Sequence, residues 1–116
     1  LAKGKQPWLL RMKDVRPFAF AGLWSQWKTP QGGATLETCA ILTTTPNELT
    51  ATLHDRMPVI LPQTTWSRWL DEAAQGPPFT ELLVSFPAGQ MEAFPVSKRV
   101  NSPANEGPDL IEPVQM

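Results

Sequence analysis

The pattern of apolar and polar positions predicts a succession of short β-strands before any helix. Residues 7–12 and 17–27 are rich in β-forming side chains, and the turn-like segment between them predicts a hairpin. Residues 36–44 predict a third strand. The apolar run at residues 57–61 predicts a fourth strand, because it is too short for a helix. Within the second strand, Gly22 permits a bulge or a close backbone approach.

Beyond residue 62 the apolar residues recur three and four positions apart, which predicts two short helices. The first apolar stripe comprises Trp66, Trp69, Leu70 and Ala73, with Thr64 or Thr65 as the cap. The second comprises Phe79, Leu82, Leu83 and Phe86. Residues 91–97 predict an edge strand, because Pro95 has no N–H to donate to a sheet. The order predicts an α+β fold with a curved, mostly antiparallel, barrel-like sheet and two short helices.

Composition limits the chain to one small domain, predicted to span residues 1–116. Apolar residues make up 41%, which is enough for a core. The net charge of −1 excludes a uniformly basic nucleic-acid binder. However, residues 1–28 hold six of the ten Lys and Arg residues against one acid, Asp14. This asymmetry predicts either a local basic face or a solvated rim.

The single cysteine and single histidine exclude several kinds of site. Cys39 has no partner for an intrachain disulfide, which is typical of a reducing compartment and predicts a cytoplasmic protein. One His and one Cys cannot form a closed zinc site, and no glycine-rich phosphate loop occurs, so we expect no metal and no cofactor. No segment has the length of a membrane helix, and no membrane partner is predicted.

Cys39 and the five tryptophans are predicted to lie in the core. Cys39 occupies the middle of a predicted strand, where a small buried apolar residue is the favoured interpretation. Trp66 and Trp69 have helical spacing, which favours burial. Trp24 and Trp27 lie beside Lys28 and could instead form a platform on which nucleic-acid bases stack.

His54 is the one titratable ring near neutral pH and therefore the first candidate for proton transfer. It precedes a predicted buried strand and is followed by Asp55 and Arg56, so a fixed cation lies close in sequence. A lone histidine is more often structural than catalytic, and both interpretations stay open on this pattern alone. Adjacent His and Asp side chains diverge on a strand, which makes a serine-protease-type triad a poor match.

Residues 54–61, His-Asp-Arg-Met-Pro-Val-Ile-Leu, resemble the signature of the SOS response-associated peptidase (SRAP) family. Further blocks resemble the family in the same order, so the similarity covers nearly the whole chain. These blocks are residues 16–24, 41–48, 62–71, 95–101 and 110–114.

The resemblance implies a curved α+β domain with a positively charged groove for single-stranded DNA. It implies a cysteine exposed when the initiator methionine is removed, whose amine and thiol close on the aldehyde of an abasic site as a thiazolidine crosslink. The histidine of the family's motif falls on His54. By position, Arg56 and Thr43 are candidates for phosphate contact. The implied partner is single-stranded DNA with abasic sites.

The chain also departs from the family pattern. Family members are roughly twice as long, and their N-terminal half carries a Cys-Gly-Arg start, an Asn-Ala-Arg segment and a glutamate segment, none of which occurs here. We therefore predict a partial SRAP domain that lacks the N-terminal half and is inactive alone, with that half as a possible partner. The alternative is a truncated remnant that acts as a weak DNA-binding or structural interaction module.

Overall fold

The structure is a computed structural model that describes residues 5–71 and 79–115. The chain folds as two units, each of which is described by itself. Leu1–Arg16 and Gly89–Met116 form the first, and Pro17–Ala88 forms the second. The strands within the described residues are β1 (Trp8–Met12), β2 (Ala19–Phe20), β3 (Gly22–Lys28), β4 (Thr35–Ile41), β5 (Thr43–Thr44), β6 (Met57–Pro58), β7 (Ile60–Leu61) and β8 (Met91–Pro95).

In the first unit, β1 pairs with β8 in an antiparallel ladder, so the predicted hairpin between residues 7–12 and 17–27 is wrong. The chain turns after β1 at Val15, which has a left-handed φ of 63° and donates its N–H to Met12 O at 2.9 Å. Pairing with the distant strand places Met12 opposite Met91, and both side chains are buried. Burial of this pair gives a reason for the long-range pairing, which residue propensities do not reveal.

In the second unit, a closed ring of three backbone hydrogen bonds joins Ala21, Leu42 and Val59. Ala21 N–H donates to Val59 O at 2.8 Å. Val59 N–H donates to Leu42 O, and Leu42 N–H donates to Ala21 O, each at 2.9 Å. Each of these residues separates two short strands, so three chain segments exchange partners here. As a result β2 pairs with β7, β3 with β4, and β5 with β6, all antiparallel.

The core of the second unit surrounds this ring. Ala21 and Val59 are fully buried, and Leu61 is nearly so. Half-buried side chains pack against them: Leu42, Trp66, Trp69, Leu82 and Leu83. Trp66 donates its indole N–H to Leu61 O at 2.9 Å, and Trp69 donates to Gly22 O at 3.1 Å. Both tryptophans therefore pack against the core as predicted, and each satisfies its polar N–H.

Gly22 makes the close backbone approach that its position in the strand predicts. A Cβ atom built on it would lie 3.3 Å from Ala40 O, on the paired strand β4. This spacing is tighter than most real Cβ contacts, so a larger residue would push β3 and β4 apart where the ring begins.

The helices are shorter than predicted. The first is α1 (Trp66–Trp69), preceded by a 3₁₀ turn at Gln63–Thr65, and Ala73 of its predicted stripe lies outside the described residues. The second prediction is wrong in kind, because Phe79–Leu82 forms a 3₁₀ turn. Polar groups just after that turn bond elsewhere: Ser85 Oγ donates to Thr45 O at 2.6 Å, and Phe86 O accepts from Asn47. Further 3₁₀ turns are Thr50–Thr52, Ala88–Gln90, Lys98–Asn101 and Pro108–Ile111.

The α+β class and the mostly antiparallel pairing are confirmed. The described residues form four two-stranded ladders and do not close into a barrel. Within the same residues, no helix has the length and apolar character required to cross a membrane.

The ribbon of β3 and β4 is exposed along its whole length, which overturns the predicted burial of three residues. Trp24 and Trp27 are 62% and 54% exposed, and Cys39, opposite Trp24, is exposed as well. Successive side chains of a strand point to opposite faces, so the apolar residues of β3 and β4 lie on both faces of the ribbon. Whether they are buried depends on which other parts of the protein cover those faces. The strand pattern was therefore correct, whereas the burial inferred from it was wrong.

We predict that Ala21→Leu lowers the free energy of unfolding by about 1–3 kcal/mol, because the extra carbons have no space at a fully buried ring position. Urea denaturation measures the effect. Ala40→Leu is the matched control, since it makes the same change at an exposed strand position. Equal destabilisation by the two variants would contradict the central place given to the ring.

Candidate active site

Three residues singled out from the sequence, Thr43, His54 and Arg56, are joined in the structure. The guanidinium of Arg56 makes three hydrogen bonds to Thr43. Its Nε donates to Oγ1 at 3.2 Å, and its Nη2 donates to the carbonyl at 2.8 Å and to Oγ1 at 3.0 Å. Thr43 opens β5 and pairs with Pro58 of β6, so the arginine side chain spans the end of this short ladder. The planar guanidinium of Arg56 is therefore held in place by the hydroxyl and the carbonyl of Thr43.

His54 is connected to Arg56 through its ring. The Arg56 N–H donates to His54 Nδ1 at 3.1 Å, and the same Nδ1 lies 3.1 Å from Asp55 Oδ1. These two contacts require different protonation states. A neutral ring with a lone pair on Nδ1 accepts the amide and carries its proton on Nε2, whereas a protonated ring donates Nδ1–H to the carboxylate. Protonation therefore exchanges one partner for the other.

The imidazole ring of His54 and the carboxylate of Asp55 are exposed to solvent. The side chains of His54 and Asp55 are 71% and 91% exposed. An exposed imidazole can exchange protons with solvent or with a bound molecule. With Nδ1 occupied by the Arg56 amide, the neutral ring offers Nε2–H as a hydrogen-bond donor. The protonated ring, with Asp55 at Nδ1, can instead release a proton from Nε2.

Arg56 differs from the other arginines in its partners. Those four each contact a carboxylate, in the pairs Arg11–Glu92, Arg16–Asp14, Arg68–Glu81 and Arg99–Asp109. Among residues 5–71 and 79–115, Arg56 is the one arginine with no carboxylate at ion-pair distance. Its charge is therefore not neutralised by a described neighbour. A cation held by neutral oxygens, with further N–H donors to offer, is well prepared to bind an anion.

Sequence reasoning missed a buried polar turn that precedes His54. Asn47 and Thr50 are the buried polar residues of the described chain, each 7% exposed. Thr50 N–H donates to Asn47 Oδ1 at 2.9 Å, and Asn47 N–H donates to Thr50 Oγ1 at 3.1 Å. The Asn-x-x-Thr spacing is that of a capping box with Thr in the place of Glu, and this signal could have revealed the turn.

Cys39 and an apolar hollow of the second unit lie outside the contacts that join Thr43, His54 and Arg56. Cys39 lies on the exposed ribbon, and the hollow is lined by Ala19, Leu61, Trp66, Trp69 and Leu70. Within the described part of the chain, no three His, Cys, Asp or Glu residues are placed to hold a metal ion. The groups of this site that can transfer protons or bind anions are therefore His54 and Arg56.

Comparison with known proteins agrees with the resemblance carried by these residues. The family model for SOS response associated peptidase (SRAP) matches residues 1–103. The chain belongs to the SRAP family. The matched residues include Thr43, His54 and Arg56, so the site described above lies inside the family region of this SRAP chain.

Individual relatives cover nearly all of this SRAP chain. It is 47% identical over 111 residues to the abasic site processing protein YoqW of Bacillus subtilis (strain 168), covering 95% of this chain and 49% of that protein. It is 31% identical to the abasic site processing protein YedK of Escherichia coli (strain K12), covering 95% and 50%. The chain thus spans about half the length of these bacterial relatives.

The fold also matches a solved structure. An X-ray crystal structure of a protein from Bacteroides thetaiotaomicron superimposes with a TM-score of 0.81 at 28% identity. The superposition covers 98% of this SRAP chain and 51% of that chain. The α+β architecture described above is therefore shared with an experimentally determined protein of about twice the matched length.

We predict that His54→Phe shifts the amide resonance of Arg56, because phenylalanine has no lone pair to accept that N–H. Two-dimensional NMR of the variant and the parent chain measures the shift. The amide of Thr52, which donates to Leu49 O, should stay still and serves as the internal control. His54→Asn keeps a side-chain acceptor and should shift the resonance less, so equal shifts in the two variants would contradict the hydrogen bond.

Proposed function

We propose that this SRAP chain takes part in processing abasic sites in single-stranded DNA and supplies the histidine part of the site. One observation carries the proposal: Arg56, the arginine without a described carboxylate partner, is hydrogen-bonded to the ring of His54 through its backbone. The unpaired charge of Arg56 suits contact with a DNA phosphate. The exposed ring of His54 beside it suits proton transfer at the neighbouring sugar. Relatives from bacteria and from Gallus gallus are named abasic site processing proteins.

In this proposal Arg56 and Thr43 contact the DNA backbone. Phosphate contacts fix the register of a nucleic acid on a protein without reading its bases. The Thr43 hydroxyl and carbonyl orient the guanidinium, and its remaining donors face a phosphate oxygen. This arrangement suits a lesion that has lost its base, because recognition cannot depend on a base edge at that position.

The proposed role of His54 is to move protons during aldehyde capture. In the family reaction an amine adds to the aldehyde carbon of the opened sugar, and loss of water leaves an imine. Addition of the neighbouring thiol to that imine closes the thiazolidine ring. The departing oxygen needs a proton, which the protonated ring of His54, paired with Asp55 at Nδ1, can release from Nε2 to become a neutral imidazole.

The proposed reaction also needs groups from outside these 116 residues. The N-terminal cysteine, the asparagine and the glutamate of the family pattern have no counterpart among the 116 residues. We infer that residues 1–116 form one partial SRAP domain that needs an N-terminal SRAP half to react. That half would also cover the exposed apolar ribbon, whose exposed large side chains are Leu23, Trp24, Trp27, Leu36 and Ile41.

A second candidate is a weak DNA-binding or structural module without covalent chemistry. It rests on the same exposed Arg56 and on the same apolar ribbon. The two functions differ in whether a complementary half restores a covalent product.

We predict that Arg56→Gln weakens binding of this chain to single-stranded DNA that contains an abasic site. Loss of one phosphate contact should reduce the slope of log K against log salt by about 0.7. Fluorescence anisotropy over a salt series measures both quantities. Arg68→Gln removes the same charge from an arginine already paired with Glu81 and is the matched control. Equal losses in the two variants would contradict a specific role for Arg56.

We predict no denaturation-stable adduct when this chain alone is incubated with abasic single-stranded DNA, because the aminothiol is absent. Denaturing gel electrophoresis measures the product. Addition of a separately produced N-terminal half from an SRAP relative should restore an adduct, and His54→Asn should slow its formation. An adduct from the chain alone would overturn the division of the site, and no adduct with the added half would favour the second candidate.

A further inference from the structure

We propose that Asn47 and Thr50 are positioning residues that fix the loop bearing His54 and Arg56. Their relevance to abasic sites rests on the function proposed above, whereas their effect on the loop can be measured without DNA. Polar side chains are costly to bury unless their hydrogen bonds are made, and both residues are 7% exposed.

The two residues cap one another. Besides the reciprocal bonds of their N–H groups, Thr50 Oγ1 lies 3.1 Å from Asn47 Oδ1 and donates to it. Asn47 Nδ2 donates to Phe86 O at 2.7 Å, which ties the turn to a separate segment of the same unit. The turn is therefore fixed by side chains from within and by a carbonyl from outside, although it is only a few residues long.

The capped turn holds the loop at its first residue. The carbonyl of Thr50 accepts the N–H of Leu53 and the N–H of His54, each at 2.9 Å. Any rotation of the Thr50 peptide group would move the His54 backbone with it. The position of the imidazole thus depends on the bonds that orient Thr50.

The same turn holds the loop at its far end. Met57 follows Arg56 directly and is 2% exposed. Its sulfur lies 3.4 Å from the Asn47 nitrogen and 3.5 Å from the Thr50 Oγ1. Thioether contacts are individually weak, but here they place the first residue of β6 against the cap. Residues 54–56 are therefore bounded on both sides by groups that touch Asn47 and Thr50.

The side chains within the loop are exposed and cannot fix it by packing. His54, Asp55 and Arg56 are all exposed, whereas the turn beneath them is buried. The side chains of Asn47 and Thr50 carry no charge, so they orient the loop without forming an ion pair with Arg56. This combination distinguishes a positioning role from a general contribution to stability.

The test uses amide hydrogen exchange followed by NMR on the full chain. Thr50→Val removes the hydroxyl while keeping the shape, and it should speed exchange of the His54 and Arg56 amides about tenfold. The amides of Ala21, Leu42 and Val59, which form the ring, should be unchanged. Thr50→Ser should restore slow exchange. Thr52→Val is the matched control, because it removes an exposed hydroxyl from the same turn.

Asn47 is tested separately, so that one variant that fails to fold does not remove the test. Asn47→Ala removes both the Oδ1 acceptor for Thr50 and the donor to Phe86, so it should speed exchange of the His54 and Arg56 amides at least as much as Thr50→Val does. Uniformly faster exchange, including the ring amides, would overturn the positioning role and indicate a purely structural one. Unchanged exchange at His54 and Arg56 in Thr50→Val would overturn it as well.

A DNA arm separates this inference from the proposed function. Thr50→Val should weaken binding to abasic single-stranded DNA, and Thr50→Ser should restore it. Loss of amide protection without any change in affinity, together with normal affinity in Arg56→Gln, would overturn the proposed function and leave the positioning role supported.

Discussion

The second unit depends on the ring of hydrogen bonds among Ala21, Leu42 and Val59. Two of the three residues are fully buried, so their peptide groups cannot turn to water when a partner is lost. Each N–H is instead given to a different chain segment, and each segment receives one in return. The ring satisfies three backbone donors with three backbone acceptors where each segment changes its pairing partner. It thereby joins three two-stranded ladders, each of which would be marginally stable alone.

The candidate active site follows from the same ring by chain continuity. Thr43 comes directly after Leu42, and Pro58 directly before Val59, so the pairing of β5 with β6 begins where the ring ends. Arg56 lies two residues before Pro58 and reaches back to Thr43 across that pair. The contact between an arginine and a threonine thirteen residues apart is thus set by backbone pairing, and the side-chain bonds complete it.

Sequence reasoning identified the strands, the first helix and the histidine loop because these depend on local pattern or on a family signature. It could not identify the β1–β8 pairing, since burial of Met12 against Met91 joins positions far apart in the chain. It also placed Trp24, Trp27 and Cys39 in a core, because alternation defines the two faces of a strand but not what covers them. It missed the Asn47–Thr50 cap, because an Asn-x-x-Thr spacing does not show that both residues are buried and bonded to one another.

The choice of partners for Arg56 explains how a site can be both fixed and charged. A carboxylate at position 43 would hold the guanidinium more strongly than a hydroxyl does, but it would cancel the charge that draws a phosphate. Thr43 supplies two neutral acceptors, a hydroxyl and a carbonyl, and so orients the fork without neutralising it. The acid nearest in sequence, Asp55, lies instead against the ring of His54, where its contact becomes favourable when the ring is protonated. The orientation of Arg56 is therefore set by the uncharged oxygens of Thr43. The carboxylate of the loop, on Asp55, contacts His54, which is the group that exchanges protons.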